Sequence, residues 1–290
     1  MLKTSMGLKK IFDITLLKEE TELLTNAGFD TADLDFSMTD EVNMLYRDDL
    51  NDYLCSAKAY LDSMHFPIYQ GHAPFGMKKG KPEEENEKLL REIRMSIPAA
   101  KQLGIACLIV HPVFYDVRPD NPQNLRDKTV RENIAMYKEL CELGDKNGVK
   151  ICTENMWSRN ENQKIVSGLW SETNDFLELF DAVPELCFCF DIGHAALLHL
   201  DPGAFVTALA PRVTTLHLHS NDGHSDLHIS PFEQTPPDFD SLCAALKKTG
   251  YSGSVNLEVG NFLPRMPKEL LPSGYRFLHD CAAYIARRIG

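Results

Sequence analysis

The stretch Val213-Thr214-Thr215-Leu216-His217-Leu218-His219-Ser220-Asn221-Asp222-Gly223-His224-Ser225-Asp226-Leu227-His228 begins as a β-rich run and ends in a polar loop. It supplies four imidazoles and two carboxylates in sixteen positions. Neutral imidazoles and carboxylates buried without partners are costly, so such a concentration calls for a shared partner, and a metal ion is the simplest. In α/β barrels the active-site residues come from the carboxyl ends of the strands, where this stretch places its own. The rest of the chain follows a matching plan of strand, polar turn and helix.

It repeats that plan eight times. Candidate strands are Leu2–Met6, Thr31–Phe36, Phe66–Gln70, Ile105–Val110, Val149–Thr153, Cys187–Asp191, Val213–His219 and Ser254–Glu258. Helical patterns lie between them at Leu16–Ala27, Asp49–Ser63, Glu83–Leu103, Asn124–Asn147, Thr173–Ala182, Pro202–Leu209 and Phe239–Thr249, with a last helix inside Pro267–Arg288. Gly28, Gly104, Gly148 and Gly250 each follow a helical run, where a left-handed cap is wanted. Strands alternating with helices of this length predict parallel βα units, and eight of them predict a closed (β/α)8 TIM barrel, one α/β domain over residues 1–290. The competing doubly wound sheet lacks a Gly-x-Gly-x-x-Gly after its first strand.

Side chains two apart on a strand share a face. Lys150, Cys152 and Glu154 fall together, as do Cys187, Cys189 and Asp191, and Ser254, Asn256 and Glu258. Cys107, Ile109 and His111 form another set, followed by Ile68, Gln70 and His72, and by Thr215, His217 and His219. Each set ends, at its strand's carboxyl end, in a group able to bind metal. Active sites of these barrels sit at that end, so residues distant in sequence are expected to converge there.

Composition narrows the partners. The net charge of −12 argues against nucleic acid, since phosphate neutralisation needs Lys and Arg in excess. Mean hydropathy of −0.25 with no long apolar run argues against a membrane span. The start, Met1-Leu2-Lys3-Thr4-Ser5-Met6-Gly7, lacks the basic region and apolar core of a signal peptide, so a cytoplasmic protein is expected. The eight cysteines have no Cys-x-x-Cys spacing and are read as reduced, mostly buried thiols. His224 is assigned to a solvated loop, and His65, His199 and His279 to structural positions.

Glu154, Asp191-Ile192-Gly193-His194, His219 and Glu258 together resemble the sugar phosphate isomerase/epimerase superfamily of xylose-isomerase-like barrels. Phe190-Asp191-Ile192-Gly193-His194-Ala195 is similar to its most recognisable motif, and Gly28 to Leu34 to its second-strand entry. The resemblance to its ketose 3-epimerases implies one divalent ion, Mn²⁺, Co²⁺ or Mg²⁺ with Zn²⁺ as a further option, held by Glu154, Asp191, His219 and Glu258. It implies that Glu154 and Glu258 also move protons and that His194 contacts a small carbohydrate. His217 stands two residues before His219 and is the alternative ligand.

The superfamily also contains apurinic-site endonucleases with a three-zinc cluster. Their pattern resembles His72, His111, Glu154, Asp191, His194, a strand-seven His, Asp226, His228 and Glu258. The expected function is thus a metal-dependent sugar isomerase or epimerase, in which His72, His111, His194, Asp226, His228 and Trp157 bind substrate. The alternative is a metal-dependent hydrolase or lyase with several ions. Asn160 and Ser225 stand where the epimerases carry an acidic group and an Arg, so no ketose specificity transfers. Around Asn155–Trp170, an aromatic and basic wall of the pocket competes with packing or a homo-oligomer contact. Arg118 and the Lys78–Lys81 loop are candidate phosphate holders, and a free or phosphorylated sugar stays open.

Overall fold

The computed structural model describes residues 1–37, 43–122 and 124–290. Eight parallel strands carry the fold: β1 Thr4–Leu8, β2 Thr31–Asp35, β3 Ile68–His72, β4 Cys107–Ile109, β5 Lys150–Glu154, β6 Cys187–Asp191, β7 Val213–His217 and β8 Val255–Leu257. They pair in sequence order from β1 to β7, β8 pairs with β1, and a Leu218–Leu257 bridge joins β7 to β8 and closes the barrel. The expected (β/α)8 architecture is therefore the observed one. β1 and β3 each begin two residues later than expected, because the chain pairs where its neighbours lie: Thr4 opposite Val255, and Ile68 opposite Ala32.

Nine α-helices are seen among the described residues: α1 Ile14–Ala27, α2 Leu50–Ser63, α3 Glu83–Leu103, α4 Leu125–Asn147, α5 Thr173–Ala182, α6 Ile192–Leu197, α7 Pro202–Leu209, α8 Phe239–Thr249 and α9 Leu271–Ile289. In α1 the buried Leu17, Thr21 and Leu24 recur at helical spacing, and Asp13 caps the start by accepting from Thr15 N and Leu16 N at 2.7 and 3.0 Å. Gly28, Gly104, Gly148 and Gly250 all take the left-handed cap conformation that their positions predict. The short α6 and a hairpin of Ser158–Arg159 with Ile165–Val166 are additions to the expected plan. No helix of the described residues is long and apolar enough to cross a membrane.

The main core fills the layer between strands and helices. Phe188 and Phe190 face outward from β6, as their alternation predicts, and pack on Phe176 at 4.8 Å and Phe205 at 5.3 Å between ring centres. Burying each such ring contributes about 1.5–3 kcal/mol. Their inward neighbour Cys189 joins Cys107, Ile109 and Cys152 in a small apolar plug inside the barrel. Above that plug, the barrel interior is polar.

Two register shifts decide what stands beside what at the rim. Between β6 and β7 the pairing runs Phe188 with Val213 and then Cys189 with Thr215, which skips Thr214 and sets Asp191 opposite His217. Between β2 and β3 it runs Ala32 with Ile68 and then Asp33 with Gln70, which skips Tyr69. Such irregularities re-aim side chains near active sites.

Candidate metal centre

At the carboxyl rim, β5, β6, β7 and the residue after β8 bring Glu154, Asp191, His217 and Glu258 together, one potential ligand atom from each lying within 4.8 Å of the others. His217 Nδ1 is 2.9 Å from Glu154 Oε1, 3.3 Å from Glu258 Oε2 and 4.0 Å from Asp191 Oδ2. Glu154, Asp191 and His217 are buried, whereas the Glu258 side chain keeps 26% of its surface exposed and so faces the pocket.

Glu154 belongs to a second group. Its Oε2 lies 3.1 Å from His111 Nε2 and 3.7 Å from His72 Nε2, and those two nitrogens are 3.0 Å apart. A third group comprises His194, His219, Asp226 and His228. There Asp226 Oδ2 is 3.1 Å from His194 Nε2 and 3.3 Å from His228 Nε2, and it accepts from Trp157 Nε1 at 3.2 Å. His228 is held in the left-handed backbone region at φ 46°, a strained state for a non-glycine residue that surrounding contacts must stabilise. Asn261 N does so by donating to its carbonyl at 3.2 Å.

The imidazoles are oriented from behind. His72 Nδ1 faces the Ala73 carbonyl at 2.8 Å, His194 Nδ1 the Asn155 carbonyl at 2.8 Å, and His228 Nδ1 the Glu258 carbonyl at 3.1 Å. His217 Nε2 faces Asp33 Oδ2 at 3.1 Å. An acceptor in each of those places demands an N–H, which in a neutral ring leaves the other nitrogen as a bare lone pair. Those lone pairs all point at carboxylate oxygens or at one another. Lone pairs opposed at about 3 Å repel unless a cation lies between them, so the donor set fits divalent metal. Buried Glu154 Oε2 and Asp226 Oδ1, which have no hydrogen-bond donor, fit it too.

Protons can fill the same place. Burial pushes His72, His194 and His228 down, but the facing carboxylates overcome it. Glu154 carries His72 up to about 9, Asp191 and Asp226 carry His194 to about 10, and Glu258 with Asp226 carries His228 to about 12. Against the upward push of burial, His217 and His111 hold Glu154 well below the usual carboxylate range, and His217 and His228 do the same for Glu258. For His111 burial prevails and the value falls.

The residues singled out from the sequence thus converge on one rim, with a different division of labour. The ring facing Glu154 and Glu258 is that of His217. His219 instead points Nε2 at Asp191 Oδ2, at 3.1 Å, stacks on His228 at 4.1 Å, and lies against Gly193. A methyl at Gly193 would overlap the His219 ring, which is why glycine follows Ile192 in this motif. Beside the group of Glu154, Asp191, His217 and Glu258 stand two others, of which the His72–His111 group also uses Glu154 and the Asp226 group does not. His224, His65 and His199 are exposed on the surface and His279 packs beneath Gly28, all away from the rim. In the Asn155–Trp170 loop, Trp157 lines the pocket, whereas Trp170 is buried and donates to the Val113 carbonyl at 2.9 Å. Asn160 is a turn residue whose Oδ1 accepts from Asn162 N and Lys164 N.

Two supporting residues escaped the reading of the sequence. Asp33 Oδ2 accepts from Gln70 Nε2 at 2.9 Å and Asn256 Nδ2 at 3.0 Å as well as from His217. Its signal was the inward parity of Thr31, Asp33 and Asp35 on β2. Asn155 staples β5 to β6, donating to the Asp191 carbonyl at 2.7 Å and accepting from Asp191 N at 2.8 Å. Over the donors lies a cavity of about 310 Å³ walled by Phe75, Phe114, Met156 and Trp157, with Arg159 stacked 4.8 Å from the Trp157 ring. That volume lies at the lower end of the range of small-molecule pockets.

The model of the xylose isomerase-like TIM barrel family matches residues 22–281. An uncharacterized protein of Methanocaldococcus jannaschii is 30% identical over 220 residues, which are 73% of this chain and 71% of that protein. Among solved structures, a D-tagatose 3-epimerase-like protein superposes with a TM-score of 0.72 at 22% identity, covering 100% of both chains. A D-psicose 3-epimerase in the presence of D-fructose does so with a TM-score of 0.74 at 10% identity, again covering 100% of both. At these identities the two structures attest the fold.

Proposed function

The chain belongs to the xylose isomerase-like TIM barrel family, and from that premise we propose that it is a divalent-metal-dependent isomerase or epimerase of a small carbohydrate. The observation that carries this reading is the convergence of Glu154, Asp191, His217 and Glu258 on the floor of a small, aromatic-walled cavity. A divalent ion held by those four would polarise a sugar carbonyl and acidify the neighbouring C–H. His217 takes the ligand position given to His219 by resemblance, with Asp33 fixing its tautomer.

Glu258 is the proton carrier best placed for work, because its partly exposed carboxylate faces the cavity. Glu154, with imidazoles on both oxygens, is the second carboxylate and is held ionised. Trp157 offers a flat apolar face to the sugar while its N–H anchors Asp226. His194 and His228, fixed through Nδ1, close the far side of the pocket.

One observation favours a second reading. Glu154 sits between two imidazole groups, and with the Asp226 group the rim offers three cation positions. Such an arrangement suits activation of water for phosphoester hydrolysis on a small substrate. Metal analysis of the purified protein, with a panel of ketoses, aldoses and phosphate monoesters, tests both. One ion per chain with solvent deuterium entering a sugar C–H position supports the isomerase. Two or three ions with phosphate release and no C–H exchange rejects it in favour of hydrolysis.

A further inference from the structure

Beside the metal cavity lies a second one of about 500 Å³, lined by Lys78, Lys79, Lys81 and Arg118 together with Tyr115, Asp116 and Asn121. It is assembled from the loops that follow β3 and β4, so its cations come from segments about forty residues apart in sequence. Lys78 and Asp116 line both cavities, and the Lys81 ammonium lies over Gly76, which lines the metal cavity. The two spaces are therefore adjacent parts of one rim.

This cavity is held by backbone bonds as well as by side chains. Lys78 bridges to Phe114, and Lys79 N donates to the Phe114 carbonyl at 2.8 Å. Asn86 clamps Lys78, accepting from its N–H at 3.2 Å and donating to its carbonyl at 3.1 Å. Val117 N donates to the Arg159 carbonyl at 2.9 Å, and Asn121 Nδ2 to the Asp116 carbonyl at 2.9 Å, which fixes the opposite wall.

The charges are only partly spent. Lys78 pairs with Asp116 at 2.6 Å and Lys79 pairs with Glu132, whereas Lys81 and Arg118 have no ion pair among the described residues. A chain of net charge −12 whose pocket floor is carboxylate-rich repels anions in general. Cations gathered at one edge of that pocket offset the repulsion locally. Guanidinium and ammonium together match a phosphate's tetrahedral oxygens, the guanidinium by paired N–H donors.

We propose that this cavity binds the phosphate group of a phosphorylated sugar whose polyol end lies over the metal donors. The proposal rests on the carbohydrate reading above and narrows it to phosphate monoesters. Its test titrates inorganic phosphate into the metal-loaded protein by calorimetry at low salt, in the parent and in a Lys81→Gln/Arg118→Gln double variant. Both side chains are exposed, so the variant's melting and metal content are expected to match the parent's. Phosphate affinity is expected to drop roughly tenfold or more, as for loss of charge-assisted bonds.

Matched free and phosphorylated sugars form the second arm. The parent is expected to prefer the phosphorylated member by roughly tenfold, and the double variant to lose that preference. Equal phosphate affinity in parent and variant, which is what phosphate held on the bound metal would give, overturns the proposal, as does equal binding of both sugar forms by the parent. Glu258→Gln separates the two readings. If it leaves turnover intact, the acid–base assignment fails, and the phosphate titration still judges the anion site.

Discussion

Asp33 lies behind the candidate metal centre and touches it through a single ring, yet three donors converge on its Oδ2: Gln70, Asn256 and His217. A carboxylate in that place fixes which His217 nitrogen faces Glu154 and makes the ring a better ligand. Asp33→Ala is expected to weaken metal affinity roughly 10–100-fold, because Gln70, Asn256 and His217 all lose the one oxygen that accepts from them. Competition with a chromophoric chelator measures this, and unchanged affinity would remove Asp33 from the site. At Glu258 the expected signature differs: Glu258→Gln should lower kcat by roughly 10²–10⁴-fold, a loss read at saturating substrate. His217 and His219 separate in the same way. On the proposed assignment, removing His217 takes a donor from the Glu154–Glu258 group, while removing His219 takes away the ring that faces Asp191 Oδ2.

At the scale of elements, the turn from β6 into α6 does two jobs with one residue. Asp191 caps α6 by accepting from His194 N at 2.7 Å through Oδ1, while its Oδ2 faces the candidate metal centre, 4.0 Å from His217 Nδ1. The glycine two residues on admits the His219 ring. Gly193→Ala is expected to destabilise the protein by about 1–3 kcal/mol through overpacking and to lower metal content together with it. Gly7→Ala is the matched control, since its added methyl meets only Lys9 Cε at 3.7 Å, and its melting should stay close to the parent's. Equal melting of both variants would mean that the His219 ring yields freely. The skip of Thr214 between β6 and β7 is the other decisive local feature: without it Asp191 would stand opposite Leu216 rather than His217. Alternation along each strand predicts which face a side chain takes, but the offset between strands is set by pairing and bulges that a single strand's pattern does not contain.

At the scale of the whole molecule, the proposed metal binding is linked to stability through protons. In the metal-free protein His72, His194 and His228 are raised, to about 9, 10 and 12. Groups raised in the folded state stabilise it fully below the unfolded histidine value and lose that contribution as pH rises through their folded values. The depressed carboxyls of Glu154, Glu258 and Asp226 contribute in the opposite sense, from above the usual carboxylate value, losing it as pH falls. Metal-free protein is therefore expected to be most stable near about pH 5–6 and to weaken toward alkaline pH. A divalent ion held there would displace those protons, so its stabilisation is expected to grow with pH. Melting with and without a chelator across that range checks this, and a difference independent of pH would mean that metal and imidazole protons do not compete.

By itself the sequence determined the eightfold alternation of strand and helix, the glycine caps, the outward phenylalanines and inward cysteines of β6, and the identity of nearly every donor at the rim. These follow from local periodicity and from the chemistry of side chains at strand ends, which short windows of sequence contain. Only the tertiary structure decided that His217 faces Glu154 and Glu258 while His219 stacks on His228, that Glu154 joins two donor groups, and that the Lys78–Lys81 and Arg118 loops share one cavity. The reason is physical. Register, barrel closure and ring orientation are set by contacts between segments far apart in the chain, each chosen by its neighbour's hydrogen bonds rather than by its own composition.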